Sequence, residues 1–352
     1  MRNMKDANSS AFEFLIDQLT ENSKFTVKKG TRYIKTEDFE KKWLKELKIP
    51  SVFQPLPDVK GIEIEFEEKK FLVLINANAS NRSLDKDVIS EESLNAGILT
   101  VLLSEKLVEL DTKIEFLDFF NEIMFQHLDP DYDGHDFNDL VRYVQPINFY
   151  SLPENSVLNS QGLKRILSYL YAQNPDRLIN KFDKNVLSTY AELSLIGSNN
   201  ISFELVLSSL LSTSFKHTFL ELYRLVERIF PVSYLKEFHE VSKSNLSFIE
   251  FSSNLENITS WRPKEDEALN KIFESTEAST KLYFDSFFNS LSEFQAQQQY
   301  KFFYKLRNSI VHFRTTHDSI DLTDSQWNKL IHATLYLLDE HYSKYHKILE
   351  IK

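Results

Sequence analysis

The first half of the chain contains one stretch, between Gly61 and Ala77, in which apolar and charged residues alternate. Its apolar members Ile62, Ile64 and Phe66 alternate with Glu63, Glu65 and Glu67. Period-two alternation predicts a half-buried strand, and the apolar run 71–75 predicts a more buried partner strand. We expect a hairpin turn between them, with the glutamates on a solvated face rather than at a metal ion. Helices are predicted at Ala11–Leu19 and, capped by Thr36, at Glu37–Leu47.

From Leu163 onward, apolar residues recur every three or four positions, which predicts helices joined by short turns. Pro, Ser and Asn accumulate between Phe149 and Gly162, which predicts a domain boundary there. We therefore expect an α+β protein in three parts. These are a mixed α/β domain with a small sheet at 1–155, a helical connector at 156–200 and an all-α bundle at 201–352.

The segment Gln297–Thr315 contains neither Gly nor Pro and predicts an amphipathic helix. Its apolar stripe consists of Phe303, Leu306, Ile310 and Phe313. At about 100° per residue, Asn308 and His312 fall together on the opposite side. Tyr304 and Val311 lie beside this polar pair, which favours a face that meets a second helix or a second subunit.

Charge sets this segment apart from the rest of the chain. The chain carries a formal charge of -11, yet no Asp or Glu lies between Phe294 and His317. The basic residues of that interval are Lys301, Lys305, Arg307 and Arg314. A basic stripe with an embedded histidine suits a phosphate-bearing ligand. The alternative is a core helix with a solvated Lys/Arg face and an incidental histidine.

The sequence Arg307-Asn308-Ser309-Ile310-Val311-His312 resembles the Arg-polar-x-x-x-His motif of the HEPN superfamily, including its Apea-like, defence-type members. This superfamily consists mostly of small all-helical ribonucleases from defence, toxin–antitoxin and RNA-processing systems. The upstream segment 219–230, with its Tyr-Arg-x-x-Glu core, resembles the first long helix of many such domains. The resemblance covers the C-terminal part of the chain, implies a HEPN-like helical bundle there, and does not extend to the N-terminal domain.

The resemblance implies metal-independent RNA cleavage without a cofactor. His312 would move the proton, Arg307 would stabilise the charge on the phosphate, and Asn308 would orient the imidazole or the phosphate. The expected products are a 2′,3′-cyclic phosphate and a 5′-hydroxyl. Further contacts to RNA are expected from Lys301, Tyr304, Lys305 and Arg314.

The spacing of the motif predicts a homodimer. Arg307 and His312 lie roughly 140° apart around a straight helix, so they need not meet within one chain. In the family, two such helices usually pair across a dimer, and we expect a C2 axis near this helix. Expected partners are RNA (tRNA, mRNA or rRNA) and either a phage-derived trigger or an antitoxin. The protein would be an antiphage or toxin-like effector. Its N-terminal domain would act as the sensor or regulator.

Two other functions remain open. One is a non-catalytic HEPN-like module that binds RNA, nucleotide or a partner protein. The other is an N-terminal nuclease joined to a helical dimerisation domain, which a metal requirement would indicate.

A second chemical candidate is the acidic turn Asp129-Pro130-Asp131-Tyr132-Asp133-Gly134, which matches the opening of an EF-hand loop. The match fails at the twelfth position, where Leu140 replaces the bidentate carboxylate. We expect an acidic surface turn, and whether it binds any cation stays open. The absence of Cys excludes disulfides and thiolate metal sites.

The remaining features concern compartment and the last helix. A polar N-terminus and short apolar runs predict a cytoplasmic protein with no membrane span. A capping box at Thr323–Gln326 opens a last helix from Trp327 to about Leu349. We expect the motif helix to pack beside it, and His341 and His346 to be solvated.

Overall fold

The structure, a computed structural model, describes residues 1–20, 32–77, 84–291, 299–312 and 320–350. The chain divides into two compact units, Met1–Leu163 and Lys164–Lys352. The first unit combines helices with a sheet, whereas the described residues of the second form helices and no strand. The α+β expectation is thus confirmed at this coarse level. No helix among the described residues is long and apolar enough to cross a membrane.

The first unit packs helices against one antiparallel sheet. The strands follow the order β1-β2-β3-β5-β4, and each neighbouring pair is antiparallel. Its elements are α1 (Met4–Thr20), α2 (Asp38–Glu46), β1 (Lys48–Leu56), β2 (Val59–Phe66), β3 (Lys69–Ile75), β4 (Ser90–Glu92), α3 (Ala96–Ser104), α4 (Phe116–Phe119), α5 (Phe137–Val141) and β5 (Ile147–Ser151). A single π turn, 120–124, and a 3₁₀ turn, 126–128, follow α4.

The predicted hairpin is β2–β3, and its turn lies at Glu67 and Glu68, both with positive φ. The expectation that all three strand glutamates are solvated is wrong for Glu63, which is 9% exposed. Its carboxylate pairs with Lys70 Nζ at 2.9 Å and accepts a hydrogen bond from the Ser51 hydroxyl at 3.2 Å. Strand β1, which was not predicted, supplies that hydroxyl by pairing with β2.

Glu40 connects two helices of the first unit. One carboxylate oxygen accepts from the Glu37 N–H at 2.7 Å, which completes a capping box at the start of α2. The N-cap of α2 is therefore Glu37 and not Thr36 as predicted. The other oxygen accepts from the Ala96 N–H at 3.0 Å, at the start of α3. The two helices pack closely at this end.

The second unit consists of short helices, and α6 begins at the last residue of the first unit. These helices are α6 (Leu163–Gln173), α7 (Lys184–Ile196), α8 (Phe203–Leu211), α9 (Phe215–Glu227), α10 (Phe230–Ser242), α11 (Phe248–Thr259), α12 (Glu265–Ser275), α13 (Ala278–Phe288), α14 (Gln299–Val311), α15 (Asp324–Lys344) and α16 (His346–Leu349). The predicted connector 156–200 is divided between the units, because 164–200 belongs to the helical unit and α7 packs against α15.

The motif helix α14 packs mainly on α12 and α9. The expectation that it packs beside the last helix is wrong, because α15 instead packs on α13, α7 and α9. The reason is Phe303, which is fully buried. Its ring centre lies 5.0 Å from that of Phe219 on α9 and 5.7 Å from that of Phe273 on α12. The predicted capping box at Thr323 does open α15.

His341 on α15 is fully buried, which corrects the expectation that it is solvated. Its Nε2 lies 3.0 Å from the Thr276 hydroxyl, a hydrogen bond that links α15 to the end of α12. Burial lowers the pKa of His341 to about 4, so the imidazole is neutral near neutral pH. His346 is exposed, as expected.

The contact between α2 and α3 depends on Gly97. A Cβ at this position would lie 2.1 Å from the Glu40 carbonyl oxygen, a backbone atom. Gly97→Ala gains about 1 kcal/mol in helix propensity, but forcing the helices apart costs about 1–3 kcal/mol. We expect a net loss of unfolding free energy of about 1 kcal/mol in urea titrations.

Gly162→Ala is the matched control, because a Cβ at Gly162 meets nothing within 4 Å. This variant should keep the wild-type urea midpoint. If Gly97→Ala also keeps that midpoint, the close approach of α2 and α3 is not a constraint on stability.

Candidate functional site

Helix α14 is held by two side chains of its predicted apolar stripe. Phe303 and Leu306 are fully buried, and Ile310 is half-buried. Phe313, the fourth member of that stripe, and Arg314, a predicted RNA contact, lie outside the described residues. The described part of the helix is thus anchored on the side that Phe303 and Leu306 define.

Arg307 lies next to this anchored side, with its side chain 20% exposed. Its Nη2 donates to Glu227 Oε1 on α9 at 3.2 Å, and its Nη1 donates to Asn308 Oδ1 at 2.9 Å. The guanidinium carbon lies 5.8 Å from the centre of the Tyr223 ring, within the range of a cation–π contact. Arg307 is therefore fixed against α9 rather than free in solvent.

A second carboxylate, Glu265 at the start of α12, approaches Arg307 Nη1 at 3.8 Å. Its Oε2 is shielded from water and accepts no hydrogen bond from any described residue. A buried anionic oxygen is costly without a counter-charge, so the guanidinium stabilises it. Burial raises the pKa of Glu227, an effect that the nearby Arg307 charge opposes. The guanidinium thus lies between two acidic side chains.

His312 follows the last residue of α14 and is exposed. Its backbone N–H donates to the Asn308 carbonyl at 2.9 Å. Within the described part of the chain, the imidazole makes no hydrogen bond or ion pair, with Arg307 or with any other residue. The described chain therefore joins the Arg307 and Asn308 side chains by a hydrogen bond and shows none from the His312 imidazole to either.

The other predicted RNA contacts lie along the same helix. Lys301 and Lys305 are exposed, and Tyr304 is half-buried. Val311, expected beside the polar pair, keeps 47% of its surface exposed. An exposed valine next to an exposed histidine gives α14 a mixed apolar and polar surface.

Sequence reasoning missed the two acids that hold Arg307. Glu227 was noted only as part of the Tyr-Arg-x-x-Glu core, and Glu265 was not noted at all. A signal did exist, because α14 is basic and contains no acid, so its counter-charges must come from elsewhere in the chain. The first turn of α12, with Glu265, Asp266 and Glu267, is the most acidic helix start of the described residues.

The acidic turn 129–134 is exposed at Asp129, Asp131 and Asp133. Lys35 Nζ lies 2.7 Å from Asp133 Oδ1 and 3.4 Å from Asp136 Oδ1. In the described ranges, no group of three or more His, Asp or Glu is arranged to hold a metal ion. The turn therefore carries a lysine as its counter-ion.

The pair of Arg307 and Glu227 yields a stability prediction. We expect Glu227→Gln and Arg307→Gln, made singly and together, to show a coupling free energy of about 1 kcal/mol in urea unfolding. Partial shielding from water is the reason, since Arg307 and Glu227 are 20% and 33% exposed.

The control is the pair of Glu221 and Arg224, also on α9, at 3.0 Å but with the arginine 60% exposed. We expect a coupling of only about 0.3 kcal/mol there. Equal coupling in the two pairs would show that the surroundings of Arg307 add nothing to its attraction for Glu227.

Comparison with known proteins assigns the chain to no family. No family model, no curated protein and no solved structure matches it. The resemblance to HEPN ribonucleases rests on the residues quoted above alone.

Proposed function

We propose that this protein is a metal-independent RNA endonuclease whose cleft is formed by Arg307, Asn308 and His312 from two copies of α14. One observation carries the proposal. Arg307 is fixed by Glu227 and Asn308, while His312, the side chain proposed for proton transfer, is exposed directly after the same helix. The group that would bind phosphate and the group that would transfer protons thus lie on one helix and its end, without a hydrogen bond or ion pair between them among the described residues.

The chemistry needs no metal. An imidazole takes the proton from the 2′-hydroxyl, and the 2′-oxygen attacks the adjacent phosphorus. The bond from phosphorus to the 5′-oxygen breaks, and the leaving oxygen takes up a proton from the protonated imidazole of the other copy. Arg307 stabilises the additional negative charge on the phosphate oxygens through its N–H groups. The products are a 2′,3′-cyclic phosphate and a 5′-hydroxyl.

A two-fold pairing of α14 would supply the missing proximity. In a C2 interface, each helix presents the same patch to its copy, so His312 of one chain can approach Arg307 of the other. Val311 supports this arrangement, because an apolar side chain that is 47% exposed beside His312 gains from burial in such an interface.

Arg307 retains binding capacity in this state. A guanidinium carries five N–H groups, and the described hydrogen bonds to Glu227 and Asn308 each use one. Glu227 therefore acts as a positioning residue that holds the guanidinium in place. Lys301 and Lys305 add exposed positive charge for the RNA backbone.

By analogy with the superfamily, we propose a role in antiphage defence or as a toxin, with the mixed α/β unit as the sensing or restraining part. The second candidate is a non-catalytic module that binds RNA, nucleotide or a partner protein. Its supporting observation is that two carboxylates already neutralise Arg307.

Cleavage is tested on denaturing gels with the full chain, mixed cellular RNA and EDTA. We expect wild type to cleave, and His312→Ala to lose about 10²–10⁴-fold in rate because the proton-transfer group is gone. His346→Ala, another exposed histidine of the same unit, is the matched control and should cleave as wild type does. Activity that survives in His312→Ala would rule out its catalytic role, and a requirement for divalent metal would favour a different nuclease.

Dimerisation is tested by analytical ultracentrifugation. We expect Val311→Asp to weaken self-association and cleavage together, because it places charge at the centre of the proposed interface. Val241→Asp on α10, where the valine is 79% exposed, is the matched control and should keep both properties. A monomeric wild type that still cleaves RNA would contradict the composite cleft.

A further inference from the structure

A cavity of about 690 Å³ opens within the first unit, between α1, the segment 32–36, the start of α2 and the acidic turn. Its volume lies in the range of about 300–1,000 Å³ that small-molecule sites occupy. Every described residue that lines it belongs to this unit. The cavity is therefore independent of Arg307, His312 and the function proposed for them.

The segment 33–35, which forms one wall of the cavity, is fixed by hydrogen bonds to its backbone. The Ile34 N–H donates to Asn8 Oδ1 at 2.9 Å, and the Lys35 N–H donates to the His135 carbonyl at 2.9 Å. In return, the His135 N–H donates to the Tyr33 carbonyl at 2.8 Å. Ile34 and Asn8 are 1% and 5% exposed. The wall from 33 to 35 is thus formed before any ligand arrives, which lowers the cost of binding.

The lining is basic in a protein of net charge -11. Among the described residues, four cations line the cavity, against Asp133 as the acid, and they are Lys5, Arg32, Lys35 and Lys41. Arg32 is 4% exposed, and its Nη2 donates to the Met124 carbonyl at 3.1 Å. A buried guanidinium, together with the exposed Lys5 and the half-buried Lys35 and Lys41, is an arrangement that suits phosphate oxygens.

An aromatic ring also lines the cavity. Tyr33 is 39% exposed, and its ring contacts the Tyr132 ring edge-on at 5.8 Å. Gly134, with φ of 108°, allows this packing, because a Cβ there would lie 2.5 Å from Tyr33 Cε2. The turn that resembles an EF-hand loop thus forms a cavity wall: it supports Tyr33 and places Asp133 against Lys35.

We propose that this cavity binds a nucleotide. The basic residues hold its phosphate groups, and the Tyr33 ring stacks on its base, as aromatic side chains do on nucleobases. Tyr33 and Lys35 are two positions apart and more exposed than Arg32 and Ile34, which alternate with them, so the aromatic ring and a basic group lie on one side of this segment. A ligand with both a phosphate and a flat ring uses all of them.

The test is calorimetric titration of the full chain with the four common ribonucleoside triphosphates and their monophosphates, beside tripolyphosphate and adenosine. We expect at least one nucleotide to bind at ligand concentrations below about 1 mM, and more tightly than tripolyphosphate or adenosine. Failure of all eight nucleotides to bind overturns the proposal. A short RNA that binds more tightly than every mononucleotide and competes with it also overturns it.

Two variants on α2 distinguish nucleotide binding at this cavity from a general effect of the protein's net charge. Lys41 lines the cavity and Lys45, one turn further, does not. We expect Lys41→Glu to weaken nucleotide binding about tenfold, and Lys45→Glu, which changes the net charge equally, to leave it unchanged. Equal weakening by both variants overturns the site.

Tyr33→Leu tests the stacking step, because it removes the ring and keeps the backbone hydrogen bonds of residue 33. We expect it to weaken nucleotide binding and leave tripolyphosphate binding as in wild type. If Tyr33→Leu changes the affinity for neither the nucleotide nor tripolyphosphate, the assignment of the ligand as a nucleotide is overturned. Thermal unfolding without ligand identifies any variant that has lost the fold.

Discussion

The insertion of Phe303 among the rings of neighbouring helices is the contact on which the helical unit depends. Its ring centre lies 5.5 Å from that of Tyr223 on α9 and 6.2 Å from that of Phe284 on α13, in addition to its contacts with Phe219 and Phe273. Burying such a ring contributes about 2–3 kcal/mol, and removing it leaves a cavity. This packing sets the rotation of α14 about its own axis, which decides where each polar side chain points.

The position of Arg307 follows from this rotation. It lies four residues after Phe303, so the two side chains share a face of the helix. The same Tyr223 that packs on Phe303 also contacts the guanidinium at 5.8 Å. Glu227, one turn beyond Tyr223 on α9, then lies within hydrogen-bond distance. His312 comes five residues after Arg307, directly beyond the end of α14, so the helical period of about 100° per residue directs it away from this cluster.

Local sequence patterns predicted the features that depend on neighbouring residues. The hairpin β2–β3, the capping box of α15 and the helices of the second unit all follow from periodicity and capping. Strand β1 was not predicted because Pro50 and Pro55 interrupt its pattern of apolar residues. The prolines are tolerated because β1 is an edge strand. The burial of Glu63 and His341 was not predicted because their partners, Lys70 and Thr276, come from other elements. The motif residues of the candidate site could be named from the sequence, but the acids around Arg307 come from α9 and α12 and required the fold.

In both proposed sites, a cationic side chain pairs with a carboxylate. This shared feature favours exchange of the carboxylate for a phosphate. Arg307 pairs with Glu227 at 3.2 Å, and Lys35 pairs with Asp133 at 2.7 Å. A partly exposed ion pair of this kind contributes about 0–1 kcal/mol to stability, whereas a hydrogen bond to a charged group contributes about 1.5–3 kcal/mol. A phosphate with several acceptor oxygens can therefore displace or share the carboxylate at little cost. Until it arrives, the carboxylate keeps the cation in position, which is how an acidic chain can maintain local sites for anions.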